Sequence, residues 1–202
     1  MKIKLLDIAN IQVGYQSRES IQDDAKGSHN LIQARDFSKT HQLDWEHLQR
    51  FNPAGEASRY EVKQGDILFL AKGQEHFAYS IDREINTTLT ANTFYIIRSD
   101  NLFVNSAFLA WWINQPPAQK YFLIRRVGSS IPFVPVSILE KLEVILPPVE
   151  MQAKIARLDT LYRREKELLQ LLIDKKTVFY NAICLVAVQS EEKATHAKSR
   201  TH

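Results

Sequence analysis

Apolar and polar residues alternate with one rhythm before Asn105 and another after it. In the first part, short apolar stretches are separated by polar ones: Leu5 to Val13, then the acidic, glycine-containing Arg18 to Asn30, then Leu31 to Phe37. The middle stretch reads as a surface loop. Tyr60 and Val62 alternate with charges ahead of Lys63-Gln64-Gly65-Asp66, and the apolar run Ile67 to Ala71 follows, which predicts a hairpin. Thr87 to Ile97, rich in β-branched and aromatic side chains, predicts a further strand. Beyond Asn105, Ser106 is placed to cap a helix from Ala107 to Ile113 that is apolar on all sides and ends at Pro116-Pro117. A second helix is predicted from Ala118 to Arg126, stopped by Gly128. A helical turn over Ser137 to Lys141 and a strand over Leu142 to Leu146, closed by Pro147-Pro148, complete the block. Irregular alternation of strands and helices predicts a mixed α/β (α+β) fold with its own core over residues 1–148.

After Pro148 neither Gly nor Pro occurs, and the pattern becomes helical. Ile155, Leu158, Tyr162, Glu165, Leu169, Leu172, Lys176, Phe179 and Ile183 recur at alternating spacings of three and four, and seven of these nine are apolar. Leu161 and Leu168 widen the stripe on one side. This spacing predicts a coiled-coil-forming helix over residues 149–188 that needs a mate. The small, polar and charged residues from Gln189 to His202 predict a disordered tail.

Composition narrows the possible chemistry. With 45% apolar and 24% charged residues among 202, the chain is neither collagen-like nor wholly disordered. No apolar run approaches the roughly 18 residues of a bilayer span, and Asp7 interrupts any apolar leader, so a soluble, cytoplasmic protein is expected. A single cysteine, Cys184, and six histidines at no ligand spacing predict no disulfide, metal or cofactor. The net charge of +3 comes from residue 150 onward, where ten Lys and Arg meet seven acids; residues 1–149 carry 16 of each sign. Any polyanion contact by the first part must therefore come from local patches.

Enzyme signatures are weak. Glu61-Val62-Lys63 has the E-x-K form of metal-dependent nucleases but lacks an acidic partner upstream, and Asn52-Pro53-Ala54 and Asn114-Gln115-Pro116-Pro117 lack the order of an adenine-methyltransferase motif. No catalytic residue is assigned. The Trp111-Trp112 pair reads as core. What remains are polar and basic residues in predicted loops: Arg35 and Lys39, then Lys72, Gln74 and His76, then Arg125, Arg126, Ser129 and Ser130. Side chains of these types donate to phosphates and read base edges.

The order of these pieces resembles the specificity subunit of type I restriction-modification systems, in a half-length form with one target recognition domain and one helix. The resemblance covers residues 1 to about 184 and is carried by Ile32 to Phe37, by Tyr60 to Lys72 around Gly65-Asp66-Ile67-Leu68, by Phe108 to Asn114, by Val127-Gly128-Ser129-Ser130-Ile131, and above all by Leu142 to Ile155. In that last segment a strand leads into Leu146-Pro147-Pro148 and a long helix, with Met151 between Glu150 and Gln152 where the family has Glu-Gln together. The resemblance implies a non-catalytic subunit that recognises double-stranded DNA and directs modification (methyltransferase) and restriction (endonuclease) subunits. Half length implies a homodimer through the C-terminal helix, with Ile155, Leu158, Tyr162, Leu169, Leu172, Phe179 and Ile183 at the dimer seam. The competing expectation is a protein-binding regulator that masks a partner nuclease, supported by the neutral first part and by the acids Glu19, Asp23 and Asp24.

Overall fold

A computed structural model of the chain describes residues 2–17, 20–99 and 103–199, with side chains described to residue 190. Glu19 of the predicted loop and residues 200–202 of the predicted tail lie outside the described residues. The chain divides into two compact units, Met1–Asp159 and Thr160–His202.

The first unit is α+β. Strand β1 (Lys2–Lys4), a 3-10 turn (Leu5–Asp7), and β2 (Ala9–Val13) are followed by β3 (His29–Ile32), β4 (Gln49–Phe51), β5 (Ile67–Leu70), β6 (Ala78–Ser80), β7 (Thr88–Thr90) and β8 (Phe94–Ser99). Helices α1 (Ser106–Ile113), α2 (Pro116–Arg125) and α3 (Val136–Glu140), strand β9 (Glu143–Ile145) and the start of α4 (Val149–Ser199) come next. The strands form a four-stranded antiparallel sheet β2-β8-β5-β6, a three-stranded sheet β4-β3-β7, and a two-stranded ribbon β1-β9.

Strand β5 shows why an uninterrupted apolar run was needed. Ile67 and Phe69 face a core shared with Leu109, Ile113, Phe122 and Leu139 of the three helices. Leu68 and Leu70 face the opposite core, with Ile32, Tyr79, Phe94 and Ile96. Successive side chains alternate faces, so a strand covered on both sides has no solvent position to give to a polar residue. Strand β3 repeats this device: Ile32 packs between the sheets, while Leu31 packs with Tyr15, Phe51 and Leu89 beyond them.

Several boundaries differ from the sequence expectation. Residues Ser58–Tyr60 form a 3-10 turn and Glu61 bridges Leu89, so the predicted hairpin of Tyr60–Val62 with Ile67–Ala71 does not form; β5 pairs with β6 and β8. Asp66 explains this: Lys63 N–H donates to its carboxylate, which then turns inward to Arg98. The single strand predicted over Thr87 to Ile97 is two, β7 and β8, in different sheets, because the chain turns at residues 91–93. Asn105, not Ser106, caps α1, its side chain accepting the Phe108 N–H at 2.9 Å. Gly128 does not end α2; Arg126 does, and Gly128 adopts φ +93 in the hairpin that follows. The Trp pair is half-buried rather than core, with the Trp112 indole donating to the Glu143 carbonyl at 3.1 Å.

Helix α4 begins directly after Pro148 and continues through Ser199, well past the predicted start of the tail at Gln189, since Glu191, Glu192, Lys193 and Ala194 are all tolerated in a helix and nothing breaks it. Its first turns belong to the compact unit, where Gln152 and Ala156 are buried. In the second unit Tyr162, Leu169, Leu172, Phe179 and Ile183 are all exposed, as are Leu171, Ile173, Val178 and Tyr180 off the seam. Among the described residues no helix is long and apolar enough to cross a membrane.

Candidate nucleic-acid interface

Strand register places three loops at one end of the four-stranded sheet. Leu70 pairs with Phe94, so the 71–77 loop leaves β5 beside the 91–93 turn, and Ala71 and Lys72 donate to the Thr93 carbonyl at 2.9 and 3.2 Å. The second loop is the hairpin 127–133, closed by reciprocal Val127–Phe133 bonds of 2.8 Å. It is laced to the first: Gly73 N–H donates to Pro132, Val134 N–H to Ala71, and the Arg126 guanidinium to the Gln74 carbonyl at 3.0 Å. The third is residues 38–42, inside the Phe37–Leu43 bridge, where Ser38 Oγ accepts from Thr40 and Gln42. His41 stacks on Phe77 with ring centroids 4.0 Å apart and its Nε2 lies 3.5 Å from the Glu75 carboxylate.

The sequence-chosen residues therefore converge, although they come from three distant parts of the chain. Arg35 opens the third loop and donates to the Gln49 side chain at 2.8 Å, with most of its surface free. Lys39 is exposed in that loop, Gln74 is exposed and Lys72 is half-buried in the first, and Ser129 and Ser130 are exposed at the hairpin tip. Two residues do not fit. His76 is buried, its Nδ1 3.2 Å from the Leu70 carbonyl and its Nε2 without a partner, so it cannot reach a base as placed. Burial holds its imidazole below the ordinary value, and the Arg126 charge adds to this against the Leu70 bond. Arg125 turns away from the loops, its guanidinium 4.2 Å from the centroid of the Tyr121 ring.

Sequence reasoning missed two residues here. His41 joins the first and third loops, and Ile131 stands 68% exposed beside Ser130. His41 has φ +59, a conformation no local motif announces.

The far end of the same sheet holds the structural polar groups. Arg98 Nε lies 3.1 Å from Asp66, which is 2% exposed, while Nη2 donates to the Glu61 carbonyl at 2.7 Å. Gln152 also lies at that end, so the start of α4 and the loop cluster are at opposite ends of the sheet. A larger cleft of about 1200 Å3 lies away from Arg35, at the other end of the three-stranded sheet, beside Tyr15, Phe51 and Tyr60. Its three carboxylates are committed: Asp23 accepts the Arg50 N–H, Asp24 accepts from Lys26 and Asn52, and Glu56 accepts from the Ser58 hydroxyl. Among the described residues no cluster of His, Cys, Asp and Glu could hold a metal ion.

Residues 1–175 match the type I restriction modification DNA specificity domain. The chain belongs to that family. Solved structures agree with this specificity-domain fold. The S subunit of the type I restriction-modification system from M. genitalium is similar, with a TM-score of 0.57 at 15% identity, over 86% of this chain and 41% of that one. A chain from a structure describing complex assembly and conformational transition of the type I R-M system gives a TM-score of 0.60 at 15% identity, over 83% and 39%. The HsdS subunit of Thermoanaerobacter tengcongensis gives 0.55 at 15%, over 84% and 39%. The specificity domain described here thus spans about two fifths of the length of these relatives. Among curated proteins none matches it by sequence.

Proposed function

We propose that the chain recognises a short sequence of duplex DNA through the three converging loops and, without chemistry of its own, directs methyltransferase and endonuclease subunits to that sequence. The observation that carries this reading is the convergence itself: Arg35, Lys39, Lys72, Gln74, Arg126, Ser129 and Ser130 share one end of the sheet. Loops on a rigid sheet can vary in sequence without disturbing the core, which suits an element that must discriminate between bases. Arg and Lys serve guanine edges and phosphates, and Gln serves adenine.

One such domain contacts few base pairs. At about 1 to 3 kcal/mol per well-read pair it discriminates poorly against a genome, so two domains must act together. A homodimer through α4 supplies the second, with Ile155, Leu158, Tyr162, Leu169, Leu172, Phe179 and Ile183 at the seam. Exposed Leu171, Ile173, Val178 and Tyr180 flank that seam, leaving apolar surface for helices of the partner subunits. The site would then be two half-sites in inverted orientation separated by an unread spacer.

Binding to mixed-sequence duplexes at several salt concentrations tests the reading. Phosphate neutralisation gives an affinity that falls steeply with salt, whereas a chain that only binds proteins retains no duplex at any salt.

A further inference from the structure

An open groove of about 490 Å3 follows α2, between that helix and the β1-β9 ribbon. Trp112, Tyr121, Lys2, Arg125, Lys141 and Glu143 line it. Glu143, the one carboxylate, already lies 3.6 Å from the Lys2 ammonium. Among the described residues neither Arg125 nor Lys141 has a carboxylate partner. The rings that line the groove are anchored: the Tyr121 hydroxyl donates to the Ile138 carbonyl at 3.0 Å and the Trp112 indole to the Glu143 carbonyl at 3.1 Å. Arg125, 4.2 Å over Tyr121, is thereby held in place rather than free to swing.

We propose that this groove grips the phosphate backbone of the same duplex whose bases the loop cluster reads, an inference that rests on the function proposed above. Three cations against one acid leave two uncompensated positive charges along a single channel. A polyanion with regularly repeated charges complements such a channel. The groove is also continuous with the reading loops through the chain itself. Arg125 and Arg126 are consecutive at the end of α2; one guanidinium reaches the Gln74 loop, the other lies in the groove. A duplex seated on the loops would carry its backbone past Arg125 toward Lys141 and Lys2. Such contacts orient the duplex and carry no sequence information, which sets them apart from those of the loops.

The test is the salt dependence of duplex binding by the full chain, using a mixed-sequence fluorescent duplex and one selected for tight binding. Lys2→Ala and Lys141→Ala should each make the slope of log affinity against log salt shallower by about 0.9 and weaken binding several-fold at low salt. Lys141→Glu should weaken it more, and all three should select the same bases as the parent chain. Lys141→Met, which keeps the apolar stem of an exposed side chain and removes its charge, serves if an alanine variant is less well folded. Unchanged slopes with normal binding by the parent chain would reject the groove and leave the proposed function standing. Variants that keep the slope but lose the methyltransferase subunit would also reject it, assigning the groove to a protein partner. Altered base preference would show reading rather than gripping. Failure of the parent chain to bind any duplex would reject both proposals.

Discussion

Gln152, on the first turn of α4, accepts the backbone N–H of Asn105 at 2.9 Å, and Asn105 in turn caps α1. The same side-chain amide donates to the carbonyls of Phe103 and Pro147 at 3.1 and 2.9 Å. A buried glutamine with every partner made is a rivet between the helix start and the globular unit, and its value lies in what would be stranded without it.

Gln152→Ala removes the partner of one part-buried N–H and of two carbonyls, which should lower unfolding stability by about 1 to 3 kcal/mol. Gln152→Glu should also destabilise above the carboxylate pKa, because an ionised carboxylate accepts but cannot donate to Phe103 and Pro147. Urea unfolding measures both; a loss under about 0.5 kcal/mol for the alanine variant would contradict this role.

Asp66 and Arg98 form the corresponding fixture inside the Gly65-Asp66-Ile67-Leu68 motif. Asp66→Ala removes the partner of Arg98 Nε and of the Lys63 N–H and should cost about 3 to 5 kcal/mol, the usual penalty for stranding a partly buried charge. The double variant Asp66→Ala, Arg98→Met should recover part of that loss in the same unfolding experiment.

These two fixtures show what the linear pattern discloses. Strand β5, α1, α2 and the start of α4 are legible because each is a run whose apolar spacing and bounding Pro or Asn have local causes. Pairing is not local: the partner of Ile67–Leu70 is set by an Arg98 some thirty residues away, and no pattern in Tyr60–Val62 reveals that it will bridge Leu89 instead. The candidate site divides the same way. Residue type singled out Arg35, Lys39, Lys72, Gln74, Arg126, Ser129 and Ser130 as candidates, and could not foresee that Arg125 turns onto Tyr121. It failed for His76, because whether a loop histidine turns in or out depends on Leu70 and Phe69, which lie across the turn from it.

The hairpin of the proposed reading site depends on Gly128. With φ +93, a Cβ there would lie 2.7 Å from the Ile131 carbonyl oxygen, so Gly128→Ala must move Ser129, Ser130 and Ile131. DNA affinity should fall at least ten-fold while thermal unfolding shifts by only a few degrees, since the displaced residues are exposed. Equal affinity in parent and variant, measured by fluorescence anisotropy, would remove the hairpin from the interface.

His76 makes stability depend on pH. Its folded value is depressed by burial, so above the ordinary imidazole value of about 6.5 it is neutral in both states and costs nothing. As pH falls through that value the unfolded chain takes up a proton the folded one refuses, and stability declines until His76 itself protonates. Asp36, raised by burial, and His47, raised by Asp44, act in the opposite direction. The comparison is therefore between the parent chain and His76→Gln: the stability lost between pH 7.5 and 5.5 should be smaller in the variant. Identical losses would show that His76 is not desolvated.

In the proposed dimer α4 holds the two recognition domains apart, so its length should set the spacer. Deleting residues 169–175, one heptad, preserves the seam register and shortens the paired helices by about 10 Å, so the spacer between half-sites should shorten by about three base pairs or the two half-sites should cease to be bound together. An unchanged spacer would separate half-site distance from helix length.

Selection of bound sequences from random duplexes, by the full chain together with its methyltransferase subunit, addresses the central claim most directly. Recognition through the loop cluster predicts a short motif enriched in two inverted copies at fixed separation, lost on combined replacement of Gln74, Ser129 and Ser130 by alanine. Recovery of unenriched duplexes, or of a motif that survives that replacement unchanged, would contradict it.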